Sequence, residues 1–183
     1  RLSSDGYGRP TTPELDAFAA DAIRYPRFWS TAPWTLPAHA SLFTGLYPMQ
    51  HGATQEHLRL EPRFATLAEV LRNAGFGTFA ATANPVVSRA AGLDQGFARF
   101  VEAWREDPGA AAHPVTGAFA AFLEGHRRER PFFAFLNYME AHSPYTPAPE
   151  HLQRFAPPGT SALRADRIGR RRWFEHYLDG PHP

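Results

Sequence analysis

The sequence predicts an α/β fold, a mostly parallel central sheet flanked by helices and incomplete at both ends. Three observations predict it. Twice a helix-patterned segment runs into a short apolar strand, the order that a crossover between parallel strands requires. The second of these strands is nearly continuously apolar, as a strand covered on both faces must be. At 183 residues, 43% hydrophobic and 14% aromatic, the chain has enough material for one core. Residues 1–183 are read as a single partial domain. The chain opens on Arg1 in the loop-like RLSSDGYGRP and stops in YLDGPHP without a terminal element, as a piece of a longer protein does.

In chain order, Thr12-Pro13-Glu14 offers a hydroxyl cap, a proline at the first helical position and an acid in the first turn. Apolar Leu15, Phe18, Ala19, Ala22 and Ile23 follow at helical spacing, and Pro26 closes the segment. The proline-broken FWSTAPW leads into TLPAHASLFTG, a short helix with Pro37 in its first turn and Gly45 at its end. Thr66 caps TLAEVLRNAG, with Leu67, Val70 and Leu71 on one face and Gly75 as terminator, and FGTFAATA then reads as a buried strand ending near Asn84-Pro85. His113 to Arg130 repeats the helical pattern through Val115, Phe119, Phe122 and Leu123, and Pro131 to Leu136 is the second strand. A proline-dense loop and an arginine-rich helical stretch from about Ser161 to Leu178 complete the chain.

Composition removes several function classes. Nineteen basic against 18 acidic residues leave a formal charge of +1, so no bulk field attracts nucleic acid or an acidic membrane surface. Every basic residue is arginine, which excludes a lysine Schiff base or a phosphate-gripping ammonium, and the run Arg170-Arg171-Arg172 reads as a solvated helix face. With no cysteine there is no disulfide frame, thiolate metal site or thiol nucleophile. No apolar run reaches the length of a membrane span, and no signal-like stretch is present. HExxH, EF-hand, Walker and GxGxxG patterns are absent.

In open α/β sheets ligands bind past the carboxyl ends of the strands, which directs attention to Asn84, Asn137 and His142. Thr35 stands before a proline-containing helix start, among free backbone N–H groups and the positive end of the dipole. It either caps the helix or meets an anionic ester there as a nucleophile. His39, four residues on, shares its helix face and suits proton transfer or charge stabilisation. His142 suits leaving-group protonation or an anionic oxygen. His51, His57, His113, His126, His151 and His176 have no comparable spacing and are read as solvated or structural.

The segment TAPWTLPAHASLFTGLYPMQHG, Thr31 to Gly52, strongly resembles the N-terminal domain of the sulfatase family in the alkaline phosphatase superfamily. YGRPTTPELDAFAADAIRY, LAEVLRNAGFGTFAATANP, GLDQGFARF and PFFAFLNYMEAHSPYTP extend the resemblance over nearly all of residues 6–155. It implies a metal-dependent hydrolase of sulfate or phosphate esters, with a divalent ion (Ca2+ or Mg2+, with Mn2+ or Zn2+ as further options) and a small-molecule or glycan ester as substrate. The family motif is Cys or Ser, any residue, Pro, any residue, Arg, with the first residue converted to formylglycine and bound to both metal and ester. Here it reads Thr35-Leu36-Pro37-Ala38-His39. Formylglycine is therefore not expected. Superfamily relatives that attack phosphate esters with an unmodified threonine imply direct attack by Thr35, which would also be a metal ligand. A phospho-group transferase with that nucleophile and a non-catalytic or truncated relative are the alternatives. His142 matches the family's substrate-contacting histidine, and the Lys-x-His element falls near Thr82 to Asn84, where Asn84 offers only neutral hydrogen bonds. Asn137, from the strand-end rule, is expected to join it in substrate binding. The family's paired aspartates are expected before Arg1, Asp5 being too late to match them, and its Asp-Asn or Asp-His-Gly element past Pro183. Family members are often periplasmic, secreted or membrane-anchored, and the resemblance extends that expectation to this chain.

Overall fold

The computed structural model describes residues 2–105, 112–143, 147–161, 163–164 and 166–167, with 112 and 113 described in backbone only. The chain divides into two compact units, Arg1–Ser30 and Thr31–Pro183.

The first unit holds a 3-10 turn, Ser3–Asp5, and helix α1, Pro13–Ala20. Thr12 occupies the cap position but makes no capping bond. Its hydroxyl donates to Asp16 Oδ1 (3.2 Å), which also accepts the Ser4 N–H (3.0 Å), so the turn and the helix are tied through one carboxylate. The helix stops at Ala20 rather than at Pro26, leaving Ala22 and Ile23 outside it, and Leu15 and Phe18 are exposed.

The second unit carries α2 (Thr35–Thr44), α3 (Pro48–His51), α4 (Leu67–Asn73), β1 (Gly77–Thr82), β2 (Arg99–Glu102), α5 (Ala112–Gly125), β3 (Phe132–Asn137) and α6 (Pro149–Phe155). The predicted fold class holds. The three strands form a parallel sheet in the order β2-β1-β3, with Ala80 opposite Phe100 and Phe135, and Thr82 opposite Glu102 and Asn137. The sequence does not announce β2 as a strand, because four residues flanked by charge give too short a pattern to read. The stretch from Ser161 to Leu178, together with Arg170-Arg171-Arg172 and His176, lies almost wholly outside the described residues, as do 144–146 of the loop after β3.

Strand alternation divides the core in two. Ala80, Phe100, Phe133 and Phe135 meet Leu36, Ala40 and Phe43 of α2 on one face. Phe79, Ala81, Val101, Ala134 and Leu136 meet Val115, Ala118, Phe119 and Phe122 of α5 on the other. Phe79 is fully buried and stacks on Phe122 at 4.8 Å between centroids. That burial stabilises the fold by about 2–3 kcal/mol. Helix α4 has a true capping box: Thr66 Oγ1 accepts the Glu69 N–H (3.2 Å) while Glu69 Oε2 accepts the Thr66 N–H (2.8 Å). The apolar face expected of this helix is not its buried one. Ala68 is buried whereas Leu67 and Val70 are exposed, because the backbone at Gly96 packs closely on Ala68 and Glu69.

The outer side of β3 is open among the described residues. Gly77 N–H donates to Pro131 O and Ala83 N–H to Asn137 O, so the odd residues of β3 face β1 and the backbone groups of Phe132, Ala134 and Leu136 face outward. This edge has no charge, bulge or proline to guard it. Sedimentation velocity on the chain is expected to show self-association that weakens in the F132K variant, since Phe132 is exposed at the edge. A wild-type chain that stays monomeric at high concentration would contradict this.

Candidate functional site

Helix α2 packs on the face of the sheet that carries Phe133 and Phe135. His39 touches Phe135 edge-on (5.8 Å), Phe43 touches Phe135 (4.9 Å) and Phe97, and Phe97 in turn stacks on Phe133. Both α2 residues thus meet β3 at Phe135, and Phe43 reaches Phe133 through Phe97. Thr35 lies about 6 Å along the helix before His39, and Asn137 about 6.6 Å along the strand beyond Phe135. Helix α2 and the side chains of Phe133 and Phe135 share one face of the sheet, the face on which Asn137 also lies.

Thr35 does not cap this helix. Trp34 holds the cap position, with no side-chain bond, and Thr35 is the first helical residue. Its hydroxyl is therefore released from the role that competes with chemistry. The N–H of Leu36 also lies in the first turn, and Pro37 carries no N–H to satisfy. His39 Nδ1–H donates to the Thr35 carbonyl (2.8 Å). Because a carbonyl can only accept, the neutral ring keeps its lone pair on Nε2.

Thr82, fully buried at the end of β1, joins the two asparagines. Its Oγ1 accepts the Asn84 N–H (3.0 Å) and donates to the Asn84 carbonyl (3.2 Å), with Asn137 Oδ1 at 3.4 Å as a second acceptor. Asn84 is itself buried, and its Oδ1 accepts the Val86 N–H (2.9 Å), a turn closed by the side chain. The amide nitrogens of Asn84 and Asn137 make no hydrogen bond among the described residues. His142, exposed in the loop beyond β3, donates from Nδ1 to the Ser143 carbonyl (2.6 Å) and likewise keeps Nε2 free. Sequence reasoning missed Thr82, because a threonine inside an apolar strand carries no signal beyond strand propensity.

His51 is the buried histidine, and its role is structural. The Ala53 N–H donates to Nδ1 (3.0 Å), so the ring proton sits on Nε2 and donates to Ser41 Oγ (3.1 Å), tying α3 to α2. Burial holds its pKa below the usual 6.5, a shift that the Pro37 carbonyl opposes in part. A depressed histidine pKa means that the unfolded chain binds more protons than the folded one below pH 6.5. Stability is then complete above 6.5 and lost as pH falls through that value toward the lowered one. Thermal unfolding is expected at a lower temperature at pH 5 than at pH 8, with a smaller difference in His51→Gln; an equal difference in both proteins would contradict this assignment.

An open groove of about 660 Å3 lined by Leu123, His126, Arg128 and Phe132 lies at the amino end of β3, the end opposite Asn137. For a metal ion the fit fails: no group of three or more His, Cys, Asp or Glu side chains among the described residues could hold one. Thr35 therefore has no companion ligands there, and calorimetry is expected to find no micromolar-or-better Ca2+ or Mg2+ binding by these 183 residues.

The sequence profile of the family described as Sulfatase matches residues 1–178. This chain belongs to the sulfatase family. It is 25% identical over 185 aligned residues to the uncharacterized sulfatase YidJ of Escherichia coli strain K12, covering 81% of this chain and 37% of that protein. It is 24% identical over 159 residues to the N-acetylglucosamine-6-O-sulfatase of Bacteroides thetaiotaomicron, covering 79% of this chain and 28% of that protein. Among solved structures it is similar to BT4656 in complex with its substrate D-glucosamine-2-N,6-O-disulfate (TM-score 0.69, 21% identity, 87% of this chain and 36% of that one). It is also similar to the phosphonate monoester hydrolase of Agrobacterium radiobacter (TM-score 0.66, 21% identity, 87% and 42%). The chain thus spans about a third of the sulfatase-family relatives it matches. No helix among the described residues is long and apolar enough to cross a membrane.

Proposed function

We propose that this chain carries the nucleophile-bearing part of a single sulfatase-family domain that hydrolyses sulfate or phosphate esters, with Thr35 as the attacking group. The observation that supports this most is His39, bonded to the Thr35 carbonyl, packed against Phe135 two residues before Asn137, whose side chain meets Thr82 beside Asn84. Thr35 Oγ attacks the sulfur or phosphorus in line, forming a new Oγ bond as the bond to the alcohol oxygen breaks and the electron pair leaves with that oxygen. The Thr35 proton goes to Nε2 of His39, and His142 supplies one to the departing oxygen. Water then releases the sulfuryl or phosphoryl group from Thr35 by the reverse proton traffic. The helix end stabilises the added negative charge by about 0.3–1 kcal/mol, and the two asparagine amides bind the non-bridging oxygens as uncharged donors.

A divalent ion (Ca2+ or Mg2+, with Mn2+ or Zn2+ as options) stays part of the family-based reading, but the described residues do not fit one, and no step above runs through it. A complex with Zn of the similar C-terminal periplasmic domain of EcEptC from Escherichia coli (TM-score 0.61) supports both the metal and a periplasmic or secreted location. The substrate named for BT4656 supports a sulfated sugar as one ester to try. A binding-only role is the second reading, favoured by His39 where the family motif has arginine. The test is a panel of sulfate monoester, phosphate monoester and phosphate diester substrates offered to the complete protein. Turnover of at least one supports the proposal, and binding without turnover of any supports the second reading against it.

A further inference from the structure

We infer that Thr82 is a positioning residue, which fixes the amides of Asn84 and Asn137 so that both present N–H donors, and never carbonyl acceptors, to an anionic ester. The inference rests on the site proposed above and deepens it. An asparagine side chain is ambiguous, because its amide can turn either a donor or an acceptor toward a ligand. Only surroundings that consume the oxygen settle which it offers. At Asn84 the oxygen is consumed by the Val86 N–H at 2.9 Å, and the turn that makes this bond is held by Thr82, which accepts the Asn84 N–H at 3.0 Å and donates to its carbonyl at 3.2 Å. At Asn137 the oxygen faces the Thr82 hydroxyl at 3.4 Å. Both amide nitrogens make no hydrogen bond among the described residues.

Strand register explains why one hydroxyl serves two residues. Thr82 and Asn137 are directly paired across β1 and β3, with side chains on the α2 face of the sheet, and Asn84 follows two residues beyond the strand end. Thr82 is inaccessible to solvent, so it acts through the asparagines and touches no ligand. The asparagine donors stand where a cation would otherwise be needed. The chain has no lysine, and the family's basic element near Thr82 to Asn84 is represented by neutral side chains. With acceptors turned outward, the same site would repel the oxygens it has to bind.

The experiment is side-chain amide NMR on the complete protein and two variants, Thr82→Val and Thr82→Ser, with inorganic sulfate as the probe. In wild type the Asn84 and Asn137 NH2 groups are expected to be rigid and to shift together on sulfate titration. Thr82→Val, with its backbone spectrum retained, is expected to free the Asn137 amide and weaken sulfate binding at least about tenfold; Thr82→Ser is expected to restore both. Should sulfate shift both amides in wild type while Thr82→Val changes neither rigidity nor affinity, the positioning role falls and the site stands. Rigid wild-type amides that Thr82→Val frees, but that sulfate never shifts, overturn the anion site and the donor role with it. If Thr82→Val does not fold, the serine variant decides: loss of rigidity with the hydroxyl still present contradicts the inference.

Discussion

Thr35→Ala is expected to lower turnover of the preferred ester in the complete protein by about 10^3-fold or more, the scale of removing a nucleophile. Thr35 is the first residue of α2, so its hydroxyl contributes no capping bond that alanine would forfeit. The change is accordingly nearly silent in stability, and a loss of activity reports chemistry rather than unfolding. Thr35→Ser should retain most of the rate, because it keeps the hydroxyl on the same helical position. The measurement is kcat and KM for each variant. Loss concentrated in kcat is expected, since in the proposed site the helix end and the asparagine amides hold the oxygens of the ester, and both substitutions leave these in place.

Gly96→Ala is expected to cost about 3–5 kcal/mol, a large share of the stability of a domain this size. Gly96 has φ +86°, and a Cβ there would lie 2.5 Å from the Ala68 carbonyl carbon and 2.8 Å from Glu69 Cα. These are backbone atoms of the first turn of α4, which cannot swing aside as a side chain would. The Gly96 carbonyl also accepts the Thr78 hydroxyl (2.8 Å), so movement at this residue disturbs β1 as well. Gly117 supplies the control. It lies inside α5, with nothing within 4 Å of the place a methyl group would take, and Gly117→Ala should stabilise by about 0.5–1 kcal/mol through helix propensity. Urea unfolding of the two variants is expected to move the midpoint in opposite directions, and equal midpoints would contradict the packing described for Gly96.

The elements legible in the sequence are those whose signal is local. The capping box at Thr66, the glycine ends at Gly45 and Gly75, and the apolar strands β1 and β3 depend on neighbours a few residues away. Expectations fail where a distant partner decides. Thr12 has the residue type and position of a cap, yet its hydroxyl is drawn to Ser3 and Asp16. The helix predicted to run to Arg130 ends at Gly125, where the chain turns so that Arg130 can donate to the carbonyls of Gly75 and Phe76. The site divides in the same way. The strand-end rule points to Asn84, Asn137 and His142, and helix spacing points to His39 beside Thr35. The contact of Thr82 with Asn137 stays hidden because it joins residues 55 positions apart. The N-cap reading of Thr35 fails by a single residue, since backbone geometry and not residue type sets where a helix begins.

The central claim is that Thr35 attacks the ester, and the most direct measurement is peptide mass spectrometry of the complete protein, acid-quenched during turnover of its preferred substrate. The account predicts a sulfuryl or phosphoryl group on the peptide containing Thr35, absent in Thr35→Ala. Steady turnover with Thr35 unmodified, and undiminished in Thr35→Ala, would contradict it.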